Sequence, residues 1–140
     1  MPENAKERLN EKYILYQVLS QNIESMKQQM EMVEQQLIEL KSTSMSIDDI
    51  EKMGESNEIF LPLGSGCFGK GSITDAKKVL VNVGAGVFVN KDIKSAKSSV
   101  EAIFNELEKA GIELEEQMKR ALNQINEIAS EIQAAAQKEG

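Results

Sequence analysis

The chain has 140 residues, with 16 Lys and Arg against 23 Asp and Glu, one Cys, no His and no Trp. It is too short for a large enzyme, lacks the commonest general base, and has too few thiols for a disulfide or a multi-thiolate metal site. A formal charge of −7 argues against a nucleic-acid partner, and no run is apolar enough for a signal peptide or a bilayer span, so no membrane partner and a cytoplasmic location are expected.

Residues 1–56 read as one long coiled-coil helix. Heptad position a falls on Leu9, Tyr16, Ile23, Met30, Leu37 and Ser44, and position d on Lys12, Leu19, Met26, Val33, Leu40 and Ile47; ten of these twelve are apolar. Six heptads without Gly or Pro, on a background of Gln, Glu, Lys and Met, call for a long helix with an apolar seam. The pattern weakens from Lys41 to Ser46, where Ser and Thr accumulate, and Gly54, Ser56 and Asn57 are expected to end the helix.

Residues 57–91 switch to period two. Ile59, Leu61 and Leu63 alternate with Phe60 and Pro62, and Val79, Val81 and Val83 repeat the alternation. At an offset of 20, Leu63-Gly64-Ser65-Gly66-Cys67-Phe68 lies over Val83-Gly84-Ala85-Gly86-Val87-Phe88, which is an internal repeat. The expected unit is a β-hairpin used twice, strands 58–63 with 67–73 and 79–83 with 87–91. Four such strands, even as one small sheet, would leave an apolar face and open edges for partners to cover.

Gly64-Ser65-Gly66-Cys67-Phe68-Gly69-Lys70 resembles a phosphate-binding loop but fails its chemistry. Gly71 stands where the Mg²⁺-binding hydroxyl belongs, and Gly71 to Asp75 is a poor start for the helix that such a loop needs. A hairpin turn is the better reading. Cys67 has no His or second Cys nearby in sequence and reads as a small apolar strand residue; Met26, Met30 and Met118 read as seam packing. Glu115, Glu116, Asp48 and Asp49 read as solvated faces.

Residues 92–140 return to heptads, with a at Lys97, Phe104, Gly111, Met118, Ile125 and Ile132 and d at Ile93, Val100, Leu107, Leu114, Ala121, Ile128 and Ala135; eleven of these thirteen are apolar. Asp92 suits the N-cap, and Gly140 closes the chain. The direction reverses between the helices, so they pair antiparallel with partner numbers summing to roughly 145. That sum sets Leu40 near Phe104, Leu37 near Leu107, Met30 near Leu114, Ile23 near Leu122 and Tyr16 near Ile128. The fold expected is α+β: a long antiparallel two-helix coiled coil with two hairpins between the helices, in a single domain.

One apolar stretch exceeds what the seam requires. Tyr13, Ile14, Leu15, Tyr16, Val18 and Leu19 surround most of the helix, opposite 129–132 and near the free helix ends, and so mark a candidate partner surface.

This arrangement of coiled-coil helix, doubled hairpin with Leu-Pro-Leu-Gly-Ser-Gly and Val-Asn-Val-Gly-Ala-Gly-Val, and second coiled-coil helix resembles an archaeal-type α-class prefoldin subunit. The resemblance covers nearly the whole chain, and its specific part is Leu61–Phe68 with Val81–Phe88. It implies a subunit without catalytic residues or cofactor, joining β-class subunits and another copy of itself in a hexamer of two α and four β. It further implies an ATP-independent chaperone that holds unfolded proteins at its coiled-coil tips and passes them to a group II chaperonin. Client contact is expected at Leu9, Tyr13, Ile14, Val18 and Ile132, and subunit assembly at Ile59, Leu61, Leu63, Phe68, Val81, Val83, Val87 and Phe88. A homo-assembling filament former shares every feature, as does a structural scaffold without clients; mass in isolation and suppression of aggregation would separate them.

Overall fold

A computed structural model describes residues 3–55 and 58–139. The order is α1 (Glu3–Met53), β1 (Glu58–Gly64), β2 (Cys67–Ser72), β3 (Lys78–Gly84), β4 (Val87–Asp92) and α2 (Ile93–Glu139). Contacts group the chain into two units, residues 1–35 with 107–140 and residues 36–106. The expected roles of Ser56, Asn57 and Gly140 fall outside the described residues.

In α1 every assigned seam position is buried or half-buried except Tyr16, and in α2 every one is. The helix does not weaken at the Ser/Thr stretch. The Thr43 hydroxyl donates to the Glu39 carbonyl at 2.9 Å and the Ser46 hydroxyl to the Ser42 carbonyl at 3.0 Å. Hydroxyls that would otherwise compete with the backbone thus bond the preceding turn. Gly54 ends α1 with φ +71°, and its N–H donates to the Ile50 carbonyl at 3.1 Å, an αL cap in which glycine avoids the Cβ penalty.

Antiparallel pairing holds within each unit. In the first, Lys12 and Glu131 form an ion pair at 3.2 Å, and a Cβ on Gly111 would lie 3.3 Å from Val33 Cγ1. In the second, Lys97 pairs with Asp48, and Leu40, Ser44, Val100 and Phe104 line one groove. These partners sum to 143–145. The two lysines that interrupt the apolar seam are therefore neutralised from the opposite helix. One expected partner is corrected: Leu122 is exposed, whereas Ala121 is buried, as is Ile23. A heptad d residue points inward, and its neighbour is rotated by about 100° around the helix.

The four strands form two separate two-stranded antiparallel sheets, β1–β2 and β3–β4, and not one sheet of four. Registers repeat at the expected offset of 20: Glu58 faces Ser72 and Pro62 faces Phe68, while Lys78 faces Asp92 and Asn82 faces Phe88. Central turn residues Ser65 and Gly66 have φ of 50° and 80°, and Ala85 and Gly86 have 51° and 72°. Two consecutive positive φ values define the type I′ turn, whose twist matches the flanking strands. Leu63 and Val83 are the bulged residues next to Gly64 and Gly84, and the Gly84 N–H donates to Asn82 Oδ1 at 3.0 Å.

A small core sits where the helix roots meet the second hairpin. Ile47, Ile93 and Ala96 are buried together, and Ile50, Val79, Val81 and Val100 pack around them. Asp92 stands directly before α2, and the first helical amide, Ile93 N–H, donates to the Lys77 carbonyl at 2.8 Å.

Candidate functional site

Two apolar surfaces remain uncovered, one in each unit. In residues 36–106 the surface belongs to the hairpins. Paired residues share a face, so Phe60, Pro62 and Phe68 lie on one side of the first hairpin and Leu80, Asn82 and Phe88 on the same side of the second. Phe60, Phe68, Leu80 and Phe88 are all well exposed. Leu63 and Val83, the extra residues at the bulges, are exposed as well, Leu63 to 71%.

On the opposite side the two hairpins differ. Val79 and Val81 pack on their own chain's core. At the corresponding first-hairpin positions, Ile59 is half-buried and Leu61 exposed. Leu61 also reaches over Gly71, where an added Cβ would lie 3.0 Å from Leu61 Cδ1. Gly71, which stands where a bulkier strand residue is expected, makes room for that leucine, and Gly69 does the same for Leu63, whose Cδ1 would lie 3.6 Å from an added Cβ.

Of the eight residues expected to serve assembly, Leu61, Leu63, Phe68, Val83, Val87 and Phe88 are exposed, while Ile59 is half-buried. Val81 is corrected: its side chain belongs to the intrachain core, because that face of the hairpin lies on the helix roots. Phe60 and Leu80 are exposed apolar residues that the sequence reading left out; the strict alternation placed them on the face opposite Ile59 and Val81. Cys67 begins β2 with an exposed free thiol, not a packed one, since it follows the turn directly.

In residues 1–35 with 107–140 the uncovered surface lies where α1 begins and α2 ends. Tyr13, Ile14, Leu15 and Val18 are exposed, Ile14 to 61%, and Leu9 and Ile132 are half-buried at the seam. Tyr13, Tyr16, Ala129, Ile132 and Ala136, with Gln17 and Gln133, line an open groove of about 530 Å³. Alanines opposite tyrosines leave this space because their side chains do not fill it. The expected client residues are therefore brought to one end of the helix pair. Among the described residues no cluster of three or more His, Cys, Asp or Glu is placed to hold a metal ion, and no helix is long and apolar enough to cross a membrane.

The family model described as prefoldin subunit matches residues 19–138, spanning both helices and both hairpins. The chain belongs to the prefoldin family. Prefoldin subunit alpha of Methanococcus aeolicus is 31% identical over 132 residues, covering 91% of this chain and 90% of that one. Prefoldin subunit alpha of Pyrococcus horikoshii is 29% identical over 140 residues, covering 99% and 94%. Among solved structures, filamentous PFD from Methanocaldococcus jannaschii superposes with a TM-score of 0.69 at 19% identity, over 87% of this chain and 98% of that chain. The relatives and the doubled hairpin make this an α-class prefoldin subunit, a member of a chaperone family.

Proposed function

We propose that this prefoldin subunit is an ATP-independent cytoplasmic holdase component, capturing unfolded polypeptides where α1 begins and α2 ends and releasing them to a group II chaperonin. The observation that carries the reading is the exposed run Tyr13, Ile14, Leu15 and Val18 beside an open apolar groove. Unfolded clients expose scattered apolar groups without a fixed shape, so their capture needs several weak, adaptable contacts multiplied across an assembly. Competition by a second partner for the same residues would then release the client without nucleotide chemistry.

Assembly belongs to the hairpins in this proposal. Two-stranded sheets with exposed Phe60, Phe68, Leu80 and Phe88 and unpaired edges present surface that neighbouring subunits would cover. The alpha designation of the relatives is consistent with assembly alongside other subunit types, and the first reading is a hexamer of two α with four β-class subunits. The shared fold of the filamentous archaeal protein keeps homo-assembly as the second reading. Native mass spectrometry separates them: an α subunit alone stops at a small oligomer until β subunits are added, whereas a filament former grows without limit.

The client reading is tested by Tyr13→Gln, Ile14→Gln and Val18→Gln combined, which keeps a strong helix former at each position. Suppression of aggregation of a chemically unfolded protein should be lost while the oligomer mass is unchanged. Full suppression by this variant would move the client surface elsewhere, and the scaffold alternative would stand if the unsubstituted protein suppressed nothing.

A further inference from the structure

We infer that Lys12 and Glu131 form a salt-sensitive clasp that sets how far the ends of α1 and α2 part, and so how deep the apolar groove beside them opens. Lys12 occupies a d position, where Leu19, Met26, Val33, Leu40 and Ile47 are all apolar. Its ammonium instead reaches the partner helix and meets Glu131 Oε2 at 3.2 Å. The apolar seam on either side is thin. Leu9 stands at the level of Ala135 and is only half-buried, and Tyr16 is the one seam residue of α1 that is exposed. Ala129 and Ala136 face the groove with single methyl groups. With so little apolar area closing this end, an ion pair supplies a larger share of the closing force than it would in the middle of the coil.

Both partners are solvent-accessible, so the attraction is modest and screened by salt. From about 0.05 M to about 0.5 M NaCl the Debye length falls from roughly 14 Å to roughly 4 Å. The open population should then rise by about two- to fivefold, the range an exposed pair controls. Opening would uncover Ile132 and the inner faces of Tyr13 and Tyr16. The consequence for clients rests on the function proposed above; the clasp itself does not.

The experiment uses the full chain in its assembly, with Cys67→Ser and spin labels on Glu7→Cys and Gln137→Cys, diluted with unlabelled subunit. Pulsed-EPR distances should lengthen and broaden on going from low to high salt. Glu131→Gln should show the broad distribution already at low salt, and Lys12→Met, which restores an apolar d residue, should stay narrow at both. Identical distributions for the unsubstituted pair at the two salts, or for Glu131→Gln and the unsubstituted pair at low salt, would overturn the clasp. Aggregation suppression at low salt should rise by about two- to fivefold in Glu131→Gln. Distances that respond while suppression does not would establish the clasp and refute client capture at this end.

Discussion

Replacing Ile47 by Ala tests the core that ties the helix roots to the second hairpin. Ile47 is 6% exposed and meets Ile93 and Ala96, with Ile50, Val79, Val81 and Val100 around them. Removing three carbons forfeits about 2.4 kcal/mol of transfer free energy, at about 0.8 kcal/mol each. A cavity term adds to this, but the surrounding residues are half-buried and free to relax, which places the total near 3 kcal/mol, in the lower part of the usual ~2–5 kcal/mol range. For a chain of this size the melting temperature should fall by about 10 °C. The control is Ile38→Ala, one helical face away at 70% exposure, which should change stability by less than about 0.5 kcal/mol. Urea denaturation followed by circular dichroism, at one subunit concentration because assembly contributes to stability, supplies the comparison. Equal losses in the two variants would refute the placement of the core.

Three further outcomes follow from particular contacts. Ala85 occupies the left-handed region in a type I′ turn, so Ala85→Asn should raise stability by about 0.5–1 kcal/mol in the same denaturation assay. Leu63→Asp, at an exposed bulge, should reduce oligomer mass in sedimentation while helical ellipticity persists; Val81→Asp would confound this, because Val81 is part of the intrachain core. The hydrogen bond to Asp48, then its charge and those of Glu51 and Glu101, raises the Lys97 pKa above its ordinary value despite some desolvation. The folded state thus favours the charged amine, so its contribution is complete below the ordinary lysine range and is lost as pH rises through the raised value. Lys97→Met should flatten the decline in the urea midpoint above about pH 10.

Both helices, their seams and the strand ends could be read to within about three residues, because heptads and period-two alternation report directly which way each side chain points. Gly54 and the paired glycine turns were legible for a similar reason, as positive φ selects few residues. Composition misled where a side chain had two options. The Ser/Thr run after Leu40 looked like a fading helix, yet Thr43 and Ser46 bond the preceding turn. Lys12 and Lys97 were assigned to the seam without partners, because their acidic partners lie over 45 residues away in sequence. For Val81, alternation identified the apolar face of the hairpin but carried no information on whether its own helices or another subunit covered it. At the candidate client end, the surplus of apolar residues was visible in the sequence. The groove beside them was not, since it depends on alanines of α2 standing at the same level as tyrosines of α1.

Among the described residues only Ile23, Ile47, Ile93, Ala96 and Ala121 are buried, and none of the large side chains is completely enclosed. Heat capacity gained on unfolding scales with apolar surface released to water, at about 12–15 cal/mol/K per residue for well-packed domains. A single copy of this chain releases less, so its free energy of unfolding bends gently with temperature and stays nearly level over a wide interval. Each neighbour that covers the hairpins adds curvature in proportion to the area it hides. The difference in heat capacity between one copy and the full assembly is then a thermodynamic measure of the surface shared between subunits.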